Sequence, residues 1–271
     1  MNAFRRLGTA LIGLATATQG MAAAPACRAT PKLEVDADGA PDSYRVDGKG
    51  LSYTCDGVFA VVNGVAQTQN NNPAHWQELC RTYWTRAKAT GDYSKVKIVG
   101  FARGADGRPI VQGSGDPLPN IAYVTTTTLS IPDTPEGTQR HYVDANEIPY
   151  VVISPAFGST YRIAPGDVVA VYRPAADKYA FGVYGDCCSL GEASVRLHYD
   201  LGNDPIVVTA DGTHRAKRGI ADRVIFAALP GAHTHPTLDA ARWREEIREA
   251  GRTALARWGG VERLRACAAG R

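Results

Sequence analysis

The chain has 271 residues, with 30 Lys and Arg against 27 Asp and Glu and a formal net charge of +3. A balance so close to neutral supplies no broad field for a nucleic acid or an anionic membrane surface, so neither is expected as a partner. At about 150 residues per domain, the length fits one large domain or two small ones.

Arg5 and Arg6 precede the apolar run "LGTALIGLATATQG", and the small residues "MAAAPA" follow it. A basic start, a short apolar core and an A-x-A-like site predict a secretory signal over residues 1–24, with an uncleaved anchor as the alternative. Its removal takes away Arg5 and Arg6 and leaves a net charge of +1. No later stretch approaches the roughly 18 apolar residues that span a bilayer, so a secreted or periplasmic protein with no membrane span is expected. Cys27, Cys55, Cys80, Cys187, Cys188 and Cys267 all lie beyond the signal. An even number in an oxidising compartment predicts disulfides of unspecified pairing. Cys187 and Cys188 are adjacent, and each is expected to bond a distant partner rather than the other. A zinc site finds no C-x-x-C or H-x-x-x-H spacing to support it.

The first segment after the signal, "VDADGAPDSYRVDGKG", reads as short strands or a loop broken by Asp-Gly turns. "DGVFAVVNGVAQ" predicts a hairpin at Asn-Gly. In "PAHWQELCRTYWTRAKATG", residues Trp76, Leu79, Cys80, Tyr83 and Trp84 form one apolar stripe, predicting a helix that stops at Gly91. From residue 95 the period changes. "KVKIVGFA", "IAYVTTTTL", "YVVIS", "GDVVAVYR", "KYAFGVYG" and "RVIFAAL" are β-branched or aromatic runs separated by turn residues. "GEASVRLHYDLG" predicts two helical turns that begin near Glu192, with Gly202 as a C-cap. The tail "THPTLDAARWREEIREAGRTALARWGG" predicts an amphipathic helix capped by Thr237, with Leu238, Trp243, Ile247, Leu255 and Trp258 against the body. The expected fold is α+β and mainly β: an antiparallel or mixed barrel, double-psi-like by analogy, with few helices. A body over residues 25–235 carries a C-terminal helical extension over residues 236–271.

Two acids bracket the segment "GVYGDCCSLGEAS": Asp186 where a strand stops, and Glu192 where a helix is expected to start. A helix start stabilises a carboxylate, and two acids on rigid elements can cleave a glycosidic bond. One protonates the leaving oxygen, and the other activates water. The same residues also serve as ordinary turn and first-turn acids, and spacing alone does not separate the readings.

The ordered stretch "IPYVVIS … YRIAPGDVVAVYRPAADKYAFGVYGDCCSLGEASVRLHYDLG" resembles the core of glycoside hydrolase family 75, the fungal-type chitosanases. "VDADGAPDSYRVDGKGLSY", "VQGSGDPLPNIAYVTTTTL", "YVDANEIPY" and "RVIFAALPGA" resemble its other segments, so the likeness runs from about residue 33 to 232. The loop "CCSLG" is shorter than the Gly-Pro loop usual between the acids of that family. The resemblance implies an inverting endo-hydrolase of chitosan, a polycation, with Asp186 and Glu192 as the catalytic pair and no cofactor or metal. Asp144 is a candidate for lining a cationic-sugar groove, or else for an Asx turn. Tyr184 and Phe181 are candidates for stacking on sugar rings. His233 and His235 fit exposed loop positions better than ligands, His198 fits a structural role, and Asp167 fits a turn. Two other readings stay open: a periplasmic hydrolase of peptidoglycan glycan strands, and a non-catalytic polysaccharide-binding barrel. A chitosan-acting protein is expected to gather acids around its groove.

Overall fold

The computed structural model describes residues 27–270, so the expected signal over residues 1–24 lies outside the described residues. The elements run in chain order as β1 (Cys27–Thr30), β2 (Glu34–Asp36), β3 (Val58–Val62), β4 (Val65–Ala66), α1 (Trp76–Thr90), β5 (Val96–Ile98), β6 (Tyr150–Val152) and α2 (Pro155–Tyr161). There follow β7 (Asp167–Arg173), β8 (Lys178–Asp186), β9 (Glu192–Ser194), α3 (Val195–Asp200), β10 (Ile206–Val208), β11 (His214–Ala216), β12 (Val224–His233), α4 (Ala240–Trp258) and α5 (Gly260–Ala268).

The fold is α+β, but the expected barrel does not close. Seven strands form one mixed sheet in the order β1-β12-β7-β8-β6-β9-β2, leaving β1 and β2 as its edges. β6 runs parallel to β8 and β2 parallel to β9, while the long β12, β7 and β8 are antiparallel neighbours. Helices complete what barrel closure would otherwise do. α4 and α5 cover one face, where Trp243, Ile247, Trp258 and Leu264 pack with Tyr150, Val168, Ala170 and Val183. α2 and α3 cover the other, where Phe157, Leu197 and Leu201 meet Val151, Val169 and Tyr184. The runs of β7 and β12 lack clean alternation because both of their faces are buried.

The C-terminal segment is therefore no appendage: it carries part of the main core. Its helix is capped by Asp239, which accepts from Arg242 N at 3.0 Å, and not by Thr237, which lies two residues earlier and accepts from Asp239 N. Leu238 precedes the helix and stays 58% exposed. Gly259 takes a left-handed φ of 119°, ends α4 and lets α5 turn back towards β1. There Cys267 bonds Cys27.

A second unit packs α1 on the three-stranded sheet β4-β3-β5. The Asn63-Gly64 pair, with φ of 51° and 79°, makes the expected hairpin turn between β3 and β4. Trp84, Phe101, Tyr123 and Tyr44 fill the space beneath α1, and the Cys55–Cys80 disulfide ties the helix down. "IAYVTTTTL" forms no strand; isolated bridges at Ala122, Tyr123 and Thr125 hold it. Cys187 and Cys188 bond each other, contrary to expectation, because the other four cysteines are paired across the fold. Among the described residues, no helix is long and apolar enough to cross a membrane.

Candidate functional site

Strand register decides which side of the sheet each acid occupies. Val151 of β6 pairs with Tyr184 of β8 and Ala193 of β9, which puts all three on the α2/α3 face. Glu192 and Ser194 flank Ala193 and so share the opposite face with Tyr150. Strict alternation would send Asp186 to Tyr184's side, two residues along the strand. A β-bulge prevents this: the partner of Val152 is Asp186, not Gly185, and the extra residue turns Asp186 onto the face of Tyr150 and Glu192. Gly185 permits the bulge because the Tyr150 side chain lies across it; a Cβ there would sit 2.5 Å from Tyr150 Cβ.

Glu192 opens β9 rather than a helix. α3 starts three residues later behind the Ser194 cap, which accepts from Leu197 N at 3.1 Å. The helix dipole thus acts at Ser194 and not at Glu192, and it is parallel pairing with β2 that places Glu192 beside Glu34. Gly191, at φ 115°, makes the corner, and its carbonyl accepts from Glu34 N at 2.8 Å. Ser189 Oγ donates to Glu192 Oε1. Asp186 Oδ1 accepts three hydrogen bonds, from Thr128 N (2.9 Å), Thr128 Oγ1 (2.8 Å) and Cys187 N (2.8 Å). All three fall on one oxygen, and among the described residues no hydrogen bond reaches Oδ2.

The edge strand β2 and the turn after it add two acids, Asp36 and Asp38, from the segment whose sequence suggests short strands or a loop. Asp36, Asp38 and Asp186 each present a carboxylate oxygen within 4.8 Å of the others, and all three side chains keep partial solvent access. Burial raises the Asp36 carboxyl to about 8, aided by the charge of Asp186 and then Glu192, against the Asp38 N–H that donates to it. Burial also holds Asp38 well above the ordinary carboxylate range, reinforced by Asp36 and Asp186. Asp186 is raised as well, chiefly by burial, with Glu192 adding to the shift and the Thr128 and Cys187 hydrogen bonds opposing it. These groups titrate as one set that retains protons above the usual range. Tyr150 Oη donates to the Asp38 carbonyl at 2.8 Å and fixes the β2 segment against β6. The i, i+2 spacing in "VDAD" was the available signal: Asp36 ends β2, and Asp38 follows in the turn, its N–H donating back to Asp36 Oδ1 at 2.8 Å. The same spacing of oxygens would accept an oxygen-seeking divalent cation.

Beside this set, a cavity of about 400 Å³ has Lys32, Glu34, Asp56 and Lys217 in its wall. It abuts the acids through Glu34, the register partner of Glu192. Asp36, Asp38, Asp186 and Glu192 thus adjoin Glu34 and Asp56, with Lys32 paired to Glu34 and with Lys217 and Arg215 as further nearby cations.

The other sequence candidates fall elsewhere. Phe181 and Tyr184 are each 7% exposed and lie on opposite faces, Phe181 under Gly251 of α4 and Tyr184 against α2. Helices cover both rings, so neither faces the acid cluster; Phe181 lines instead a cavity between α3 and α4. Asp144 stands apart from the cluster and makes an Asx turn, its Oδ1 accepting from Asn146 N at 2.8 Å. His233 Nδ1 meets Asp167 Oδ1, and His235 Nδ1 meets Glu246, so the two rings serve separate acids. His198 is buried between Asn203 and the Glu34 carbonyl, and burial depresses its pKa to about 4.

Replacing Asp36 by Asn tests the electrostatics without reference to activity. A carboxyl whose folded pKa lies above its unfolded value destabilises the fold progressively as pH climbs from about 4 to about 8. The Asn variant is expected to melt about 3 °C or more above the parent at pH 8, with the gap vanishing by about pH 4. A pH series of melting curves checks it; a gap independent of pH contradicts the assignment. No protein-family model matches the chain, and no curated protein matches it.

Proposed function

We propose that the protein is an exported endo-hydrolase of a glucosamine polymer that acts through Asp186 and Glu192. The observation that carries this reading is the convergence of Asp186, Glu192 and Asp36 on one sheet face by a bulge and an edge strand, with Asp38 brought beside them by the turn after β2. A general acid works best with a pKa near the working pH. The elevated set centred on Asp186 meets that need, with Asp36 and Asp38 keeping a proton in the cluster. Glu192 completes the pair as the group that activates water, giving inversion at the anomeric carbon. The gathering of Asp36, Asp38, Asp186 and Glu192 favours a polycationic chain such as chitosan over an anionic glycan, since it draws ammonium groups towards the cluster.

The test is release of reducing ends from chitosan by the protein, compared with bacterial sacculi, with and without EDTA. Release from chitosan, insensitive to EDTA and starting with the inverted anomer by NMR, is the expected result. Release from sacculi alone would transfer the reaction to peptidoglycan. Binding to polysaccharide without turnover would leave a non-catalytic polysaccharide-binding protein and end the enzymatic reading. Loss of activity in EDTA, restored by calcium, would make Asp36, Asp38 and Asp186 cation ligands instead of proton carriers.

A further inference from the structure

A second cavity, of about 260 Å³, opens at the end of β8 remote from Asp186, between α3 and α4. Arg196 of α3 and Arg244, Arg248 and Arg252 of α4 line it, and Asp200 is the single carboxylate in its wall. The three α4 arginines recur every fourth residue and so form one stripe along the helix. Like charges at that spacing repel each other, which a merely solvated helix face has no need to incur. Tyr179, the sixth polar group of the lining, leaves 40% of its surface in solvent.

The donors are only partly used. Arg196 directs Nε (3.1 Å) and Nη2 (2.8 Å) at one oxygen of Asp200. Arg244 uses Nη1 alone, on Glu147, and Arg248 uses Nη2 alone, on Glu245. Among the described residues, Arg252 takes part in no ion pair. Even after Glu147 and Glu245 are counted with Asp200, the four guanidinium groups leave one positive charge uncompensated. Each guanidinium carries a planar fork of N–H donors that matches a carboxylate or phosphate. The volume lies just below the roughly 300 Å³ at which drug-sized pockets begin, which suits one monosaccharide. An exposed aromatic ring beside the cations gives such a sugar an apolar surface to rest on.

We propose that this cavity binds a single acidic sugar, with its carboxylate or phosphate held by Arg248 and Arg252 and its ring against Tyr179. At about 3.3 Å per residue along β8, the site lies some 16–23 Å from Asp186, and it does not depend on the hydrolase reading. It gives the C-terminal helix a second task besides covering the core.

Calorimetric titration of the full chain with glucuronate, glucose 6-phosphate, inorganic phosphate and glucose tests the proposal. Glucuronate or glucose 6-phosphate is expected to bind with a Kd of about 1 mM or better, and whichever is tighter identifies the oxyanion. Glucose should not bind, and inorganic phosphate should bind at least about 10-fold more weakly than the preferred acidic sugar, for want of the ring. The Arg248→Ala/Arg252→Ala variant should lose at least about 10-fold in affinity, and Tyr179→Ala should reduce the sugar to the level of the bare anion. Melting curves confirm that each variant is folded; Gln replaces Ala at both arginines if the first pair unfolds. Saturation by neither acidic sugar, equal binding of glucose, or an affinity unchanged in the arginine variants would overturn it.

Discussion

Asp186→Asn and Glu192→Gln are each expected to lower chitosan hydrolysis by about 100- to 10,000-fold, the range removed with a general acid or base. The Asn side chain keeps an oxygen where Asp186 Oδ1 accepts from Thr128 and Cys187, so the loop geometry is retained. What it lacks is a proton it can give up. Glu192→Gln likewise keeps the Ser189 contact while removing the charge. The double variant should be little worse than either single one, because groups acting on one bond fail as a unit. Initial-rate assays paired with melting curves check this. Retention of more than about a tenth of the activity by either folded variant would remove that residue from the catalytic pair.

Gly185→Ala carries the largest expected effect outside the acids. Its Cβ would sit 2.5 Å from Tyr150 Cβ and 2.7 Å from Cγ, and both belong to the rigid start of the Tyr150 side chain. Either the bulge must open or Tyr150 must swing away. Overpacking of this kind costs about 1–3 kcal/mol, a fall in Tm of about 2–12 °C for a chain of this size. The functional loss should exceed the structural one. Opening the bulge returns Asp186 to strict alternation, towards the opposite face, and moving Tyr150 releases its hydroxyl from the Asp38 carbonyl. Tyr150→Phe removes that hydroxyl alone and is expected to cost about 1 kcal/mol with Asp186 still in place. Chitosan hydrolysis and Tm measured on both variants separate the two contributions. An Ala variant that melts within about 1 °C of the parent and stays active would show that the bulge does not depend on glycine.

Local patterns in the chain were sufficient wherever the deciding interaction is itself local. The apolar stripe from Trp76 to Trp84 specified α1, and Asn63-Gly64 specified its hairpin through the left-handed backbone both residues adopt. Trp243, Ile247, Leu255 and Trp258 pointed inward as their spacing required. Asp186 ended its strand as read. The failures share one cause, competition from a partner distant in the chain. "GEAS" has helical neighbours, yet its first residues pair with β2 and β6 and become a strand. Phe181 and Tyr184 alternate as though one ring were free, but helices cover both sheet faces. The barrel failed in the same way, since α4 and α5 supply the cover that a closed sheet would have given.

The sequence by itself determined that Asp186 stands at a strand's end, that Glu192 follows within one short loop, and that the six cysteines are even in number. Those are facts of order and spacing, set by residue type and period. Tertiary structure alone decided that Asp36 and Asp38 join them, that Cys187 bonds its neighbour, and that arginines from α3 and α4 meet around one cavity. Register across strands and the packing of helices on a sheet bring together residues from about fifty to about a hundred and fifty positions apart, and no local period encodes such distances.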